Sequence, residues 1–117
     1  MDVTIWHNPA CGTSRKVLAA LRAAGIEPVI VEYLKTPPTR AELTEVLARA
    51  GLSARQLLRR KEPLVAELGL DAPDMAEARL IEAMADHPRL IERPVVITPT
   101  MALLCRPAEA VETLLRA

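Results

Sequence analysis

The chain has 117 residues, half of them hydrophobic, and its 15 Lys and Arg balance its 15 Asp and Glu. That length suits one domain with its own core, and a net charge of zero gives no electrostatic reason to expect nucleic acid or a membrane surface as partner. No apolar run approaches the about 20 residues needed to cross a bilayer, the first residues lack the pattern of a secretory signal, and two distant cysteines make no disulfide framework, so a cytoplasmic chain is expected.

Phe is absent and there is one Trp and one Tyr, so aliphatic side chains must fill the core. Val3 and Ile5 alternate with Thr4 and predict a first strand. His7-Asn8-Pro9-Ala10-Cys11-Gly12 is rich in turn residues and predicts a loop. Thr13 or Ser14 can cap a helix running to about Ala24, with Val17, Leu18 and Leu21 as its apolar face and Gly25 as its stop. Val29-Ile30-Val31 is a continuous apolar run, which suits a buried parallel strand and completes a βαβ unit.

After Thr36-Pro37-Pro38 the pattern becomes helical. Thr39 with Glu42, and Ser53 with Gln56, have the spacing of capping boxes. A further short helix is expected over about Pro63–Leu68 before Gly69, and Asp74 with Glu77 is expected to cap another that stops before Pro88. Residues 39–87 therefore read as an all-helical insertion. Val95-Val96-Ile97 predicts a third strand and Leu103-Leu104-Cys105 a fourth, antiparallel to the third, with Thr98-Pro99-Thr100 as the turn. Pro107 is placed to open a last helix over 107–116. The order is that of a thioredoxin-like α/β fold: βαβ, then ββα, around a mixed four-stranded sheet. The expected domain is single, 1–117, with a core of 1–35 and 90–117.

Cys11 lies between a strand and a helix start, where unbonded N–H groups and the helix dipole favour a thiolate and can also cradle an oxyanion. A free Cys is often a small buried hydrophobe, but the turn residues around Cys11 argue against a packed position. The local motif, Cys11-Gly12-Thr13-Ser14, has no second thiol, and Arg15 follows too closely for a phosphotyrosine-phosphatase loop. His7 can fold back towards the thiol, charged to favour the thiolate or neutral to accept a hydrogen bond. His87, at a helix end, reads as having no chemical role. Arginine is the residue for tetrahedral oxyanions because its planar fork holds two oxygens. Arg59, Arg60, Arg93 and Arg106 are the candidates, and periodicity does not say which converge. Cys105 adjoins Arg106, so on a strand the two point to opposite faces. Cys105 then reads as structural, with a role as resolving thiol if the strand has ended there.

The run from His7 to Arg15 resembles the active-site signature of glutaredoxin-coupled arsenate reductases of the ArsC type. The resemblance continues through Tyr33-Leu34, Pro37-Pro38, Leu57-Leu58-Arg59, Leu68-Gly69-Leu70, Arg93-Pro94-Val95-Val96, Thr98-Pro99 and Leu104-Cys105-Arg106-Pro107, essentially the whole chain. It implies Cys11 as nucleophile, His7 as the residue supporting the thiolate, and Arg59, Arg93 and Arg106 as the oxyanion triad, with Gly12, Thr13 and Ser14 lining the anion site. It places Pro94 where thioredoxin-like folds carry a cis proline.

The activity so implied is reduction of arsenate to arsenite through a Cys11 adduct. An external small thiol, glutathione with glutaredoxin or thioredoxin in its place, would resolve that adduct. No metal and no tightly bound cofactor is expected. Three features depart from the family pattern. Thr100-Met101-Ala102 lacks a Gly that is frequent there; Arg60-Lys61-Glu62-Pro63-Leu64 is nearer to a branch whose members need not reduce arsenate; and the chain stops at Ala117 without a longer tail, which is expected to matter little. The competing readings are a monothiol glutaredoxin-like oxidoreductase without arsenate activity and an Spx-like regulator that binds RNA polymerase.

Overall fold

The computed structural model describes residues 2–116. The backbone divides into two compact units, one of Met1–Thr36 with Arg93–Ala117 and one of Pro37–Glu92.

The first unit is built on a four-stranded mixed sheet of order β2-β1-β3-β4. Strand β1 (Thr4–Trp6) runs parallel to β2 (Val29–Val31) and antiparallel to β3 (Val95–Ile97), and β3 pairs antiparallel with β4 (Ala102–Leu104). Ile5 faces Ile30 on one side and Val96 on the other, which fixes the register at the sheet centre. Helix α1 (Gly12–Ala23) crosses between β1 and β2. Its apolar residues Val17, Leu18 and Leu21 recur at helical spacing and join Val3, Ile5, Val96, Cys105, Val111 and Leu114 in one buried cluster. Each fully buried aliphatic side chain there contributes about 1.5–3 kcal/mol.

Several expectations are corrected in this unit, and the fourth strand lies one residue earlier than expected, ending before Cys105. The Val29-Ile30-Val31 run is a parallel strand, but it is an edge strand and not a buried one: Val29 is 64% and Ile30 37% exposed. A continuous apolar run reports burial only where neighbours cover it, and β2 has a neighbour on one side only. The last helix is also not one run. Pro107 stands outside it with extended backbone, its carbonyl accepts from Ala110 N–H at 3.0 Å, and a 3-10 turn (Ala108–Ala110) precedes α6 (Val111–Leu115). The Arg93–Pro94 and Arg106–Pro107 bonds are cis.

The second unit holds α2 (Arg40–Ala50), α3 (Ala54–Leu57), α4 (Pro63–Glu67), α5 (Glu77–Asp86) and a 3-10 turn (Pro88–Leu90). Both predicted capping boxes are present. Thr39 N–H donates to Glu42 Oε1 at 3.0 Å while Glu42 N–H donates to Thr39 Oγ1 at 3.1 Å, and Ser53 and Gln56 repeat the exchange at 2.8 and 3.2 Å. Gly51 ends α2 at φ 66°, a left-handed conformation that glycine adopts without strain.

The expected cap at Asp74 does not form. Helix α5 starts from Ala76, and the Glu77 carboxylate accepts instead from Ala54 N–H at 2.8 Å, satisfying the first amide of α3. A single antiparallel bridge, Leu58 with Ile91, ties the loop after α3 to the end of the unit. Among the described residues, no helix is long and apolar enough to cross a membrane.

Candidate active site

Cys11, and not Thr13 or Ser14, is the N-cap of α1, with extended backbone at φ −95° and ψ 121°. The loop before it is tied to itself: Cys11 N–H donates to Asn8 O at 3.0 Å, Ala10 N–H to Asn8 Oδ1 at 3.0 Å, and Arg15 Nη1 to Pro9 O at 2.8 Å. These bonds set the thiol at the mouth of the helix. Gly12, Thr13 and Ser14 form the first turn, so their N–H groups have no intrahelical acceptor.

Partial burial alone would push the Cys11 thiol up. The Ser14 backbone N–H and the Arg93 and Arg106 guanidinium groups outweigh it and lower the thiol from 9.0 to about 7. Arg106 Nη1 lies 3.7 Å from Cys11 Sγ and donates to Arg93 O at 3.3 Å, so the backbone entering β3 helps to hold the arginine that follows β4. Arg93 is also among the groups that lower the thiol, and its Nε is buried with no hydrogen-bond partner. A buried guanidinium N–H left open beside a thiolate is a donor suited to an anionic ligand.

The structure changes the parts assigned to His7 and Ser14. His7 is buried, and its Nδ1 lies 2.6 Å from Ser14 Oγ. Burial, partly opposed by Glu32, lowers its pKa below the ordinary 6.5. At neutral pH the ring is therefore uncharged, and its bond goes to Ser14; a charged imidazole facing the thiolate is not what this geometry provides. Ser14 is fully buried, and its hydroxyl also accepts from Asn8 N–H at 3.1 Å. What Ser14 can offer a ligand at Cys11 is its amide and not its side chain. One signal in the sequence marks this: Ser14 precedes Val17, Leu18 and Leu21 by three, four and seven positions, which puts it on the apolar face of α1.

Cys105 is fully buried in the same cluster as Val3 and Leu21, and burial pushes its thiol up to about 12. Arg59 and Arg60 belong to the helical unit. Arg60 is exposed, whereas Arg59 is half-buried and pairs through Nη1 with Glu92 Oε1 at 3.0 Å. No sequence pattern singles out Glu92, which is the residue before Arg93. Among the described residues no group of three or more His, Cys, Asp or Glu could hold a metal ion.

The model of the ArsC family matches residues 6–114. The chain belongs to the ArsC family. The arsenate reductase of Rhizobium meliloti (strain 1021) is 57% identical over 111 residues, covering 95% of this chain and 79% of that protein. The arsenate reductase of Escherichia coli (strain K12) is 51% identical over 110 residues, covering 94% and 78%. The solved structure of an arsenate reductase from Vibrio cholerae superposes with a TM-score of 0.93 at 42% identity, over 97% of each chain. The ArsC resemblance carried by the His7–Arg15 signature is thus supported over the length of the chain, and the mixed sheet with its helices is the thioredoxin-like arrangement of this family.

Proposed function

We propose that this ArsC-family protein is an arsenate reductase in which Cys11 is the nucleophile and Arg59, Arg93 and Arg106 bind the oxyanion. The observation that carries the reading is the pairing of a thiol lowered to about 7 with two guanidinium groups at a helix start. The thiolate is then far more accessible near neutral pH than that of an ordinary thiol, and the same positive field that favours the thiolate favours a tetrahedral anion beside it. Gly12, Thr13 and Ser14 contribute backbone amides. Arg59 joins as the third arginine on the strength of the Leu57-Leu58-Arg59 run.

In this reading the Cys11 thiolate attacks arsenic, a Cys–S–As bond forms, and water or hydroxide departs. A small thiol such as glutathione then takes the place of a second oxygen on arsenic, which leaves as water, and an As–S bond to that thiol forms. Glutaredoxin, or thioredoxin in its place, removes that thiol as a mixed disulfide, and the electron pair of the broken As–S bond reduces As(V) to As(III). Water then displaces the Cys11 sulfur from As(III), which releases arsenite and regenerates Cys11. The balance is arsenate and two thiols giving arsenite, one disulfide and water. Ser at position 14 and the burial of Cys105 support reducing thiols that come from outside.

The test is a coupled assay containing arsenate, glutathione, glutaredoxin and NADPH, repeated with thioredoxin. Arsenate-dependent NADPH oxidation is expected with the unaltered protein and none with Cys11→Ser. Turnover of a glutathionylated substrate without any arsenate-dependent oxidation would replace this reading with monothiol exchange.

A further inference from the structure

Arg59 carries a carboxylate of its own. Its Nη1 lies 3.0 Å from Glu92 Oε1, and the two side chains are only 21% and 22% exposed. The backbone fixes the pair. Arg59 N–H donates to Leu90 O at 2.7 Å, Glu92 N–H donates to Leu57 O at 2.8 Å, and Leu58 bridges Ile91 between them. In that antiparallel register Arg59 and Glu92 are diagonal neighbours, a separation that two long side chains span. The surrounding residues Leu57, Leu58, Leu90 and Ile91 are all buried, so the segments that present the pair are anchored.

A guanidinium uses the same N–H groups for carboxylate, phosphate and arsenate oxygens. We propose that Glu92 is an internal competitor for the oxyanion: its carboxylate occupies a donor of Arg59 and opposes the charge of an arriving anion, setting the affinity of the site. The inference rests on the reading above, in which Arg59 meets arsenate. Arsenate binds against this opposition as an anion. Arsenite leaves as neutral arsenous acid and has no charge with which to hold Arg59, so Glu92 retakes the arginine as product departs. Glu92 is on this view a positioning residue that acts through Arg59 and makes no bond to arsenic.

Glu92→Gln keeps the size and one acceptor oxygen but removes the charge. It is expected to lower both the KM for arsenate and the arsenate concentration that half-protects the full-length protein against thermal unfolding, by about five- to tenfold for one partly buried charge removed. The same substitution in an Arg59→Gln background is expected to shift the half-protecting concentration much less, because the competition has lost its object. A Glu92→Gln midpoint that is unchanged or higher, while Arg59→Gln alone weakens protection, overturns the inference and leaves the arsenate-binding role of Arg59 standing. An undiminished Glu92→Gln effect without Arg59 also overturns it. An Arg59→Gln midpoint equal to that of the unaltered protein removes Arg59 from the site, and the inference falls with that reading.

Discussion

His7 Nδ1 and Ser14 Oγ lie 2.6 Å apart, and this bond, not one between His7 and Cys11, anchors the active loop. Asn8 N–H donates to the same hydroxyl at 3.1 Å. The hydroxyl can accept from Asn8 N–H and still bond the ring nitrogen, so one buried Ser satisfies two groups of the loop at once. The polar contact sits on the otherwise apolar face of α1 and pins the loop to the helix it precedes.

Ser14→Ala is therefore expected to act first on stability. It leaves a buried imidazole nitrogen and a backbone N–H without their partner, a cost of about 1–3 kcal/mol. The residue at position 14 still has its amide, so much of the lowering at Cys11 survives. Denaturant unfolding and the pH dependence of thiol alkylation measure the two effects separately. An unchanged stability together with a thiol back near 9.0 would contradict this account.

The pH dependence of Cys11 follows from its depressed pKa. Alkylation is expected to rise with a midpoint at about 7, and Arg106→Ala is expected to move that midpoint up by removing one of the groups that lower it. The linkage has a definite sign. An acid whose folded pKa lies below its unfolded value binds fewer protons when folded, so stability increases with pH between the two values. The thiolate contribution is complete above about 9 and is lost as pH falls through about 7. The melting temperature of the unaltered protein, measured against Cys11→Ser, is expected to climb over that window. A flat difference between the two proteins would show that the thiol is not lowered by folding.

Local chemistry made some of this legible and non-local packing hid the rest. Thr39 with Glu42, and Ser53 with Gln56, are short-range exchanges between side chain and backbone, so their spacing alone predicts them. Cys11 at a strand-to-helix junction is local in the same way. The exposure of Val29 depends on strand order, which no window of neighbouring residues contains. Asp74 and Glu77 have an acceptable capping spacing, yet Glu77 is drawn to Ala54, 23 residues earlier. The pair of Arg59 with Glu92 is likewise a product of folding, made by a backbone bridge between Leu58 and Ile91.

Cys105 offers a separate test of where the electrons come from. Its thiol is fully buried and pushed up to about 12, so at neutral pH it is almost wholly protonated and shielded from attack on a disulfide or an arsenic adduct. Two Cys are present in the chain, and native protein is expected to react with a thiol reagent at Cys11 alone, both reacting only after denaturation. Cys105→Ala removes one buried sulfur from the cluster around Val3, Leu21 and Val96, at a cost of about 1 kcal/mol for the small void it leaves. Arsenate turnover with external thiols is expected to persist below the lowered melting temperature. Ala is the informative replacement because Ser would bury a hydroxyl and confuse a packing loss with a chemical one. If Cys105→Ala abolished turnover while far-UV circular dichroism and the melting transition stayed intact, Cys105 would have to open to solvent during the reaction and resolve Cys11 from within. Reduction by an external thiol alone would then no longer describe the cycle.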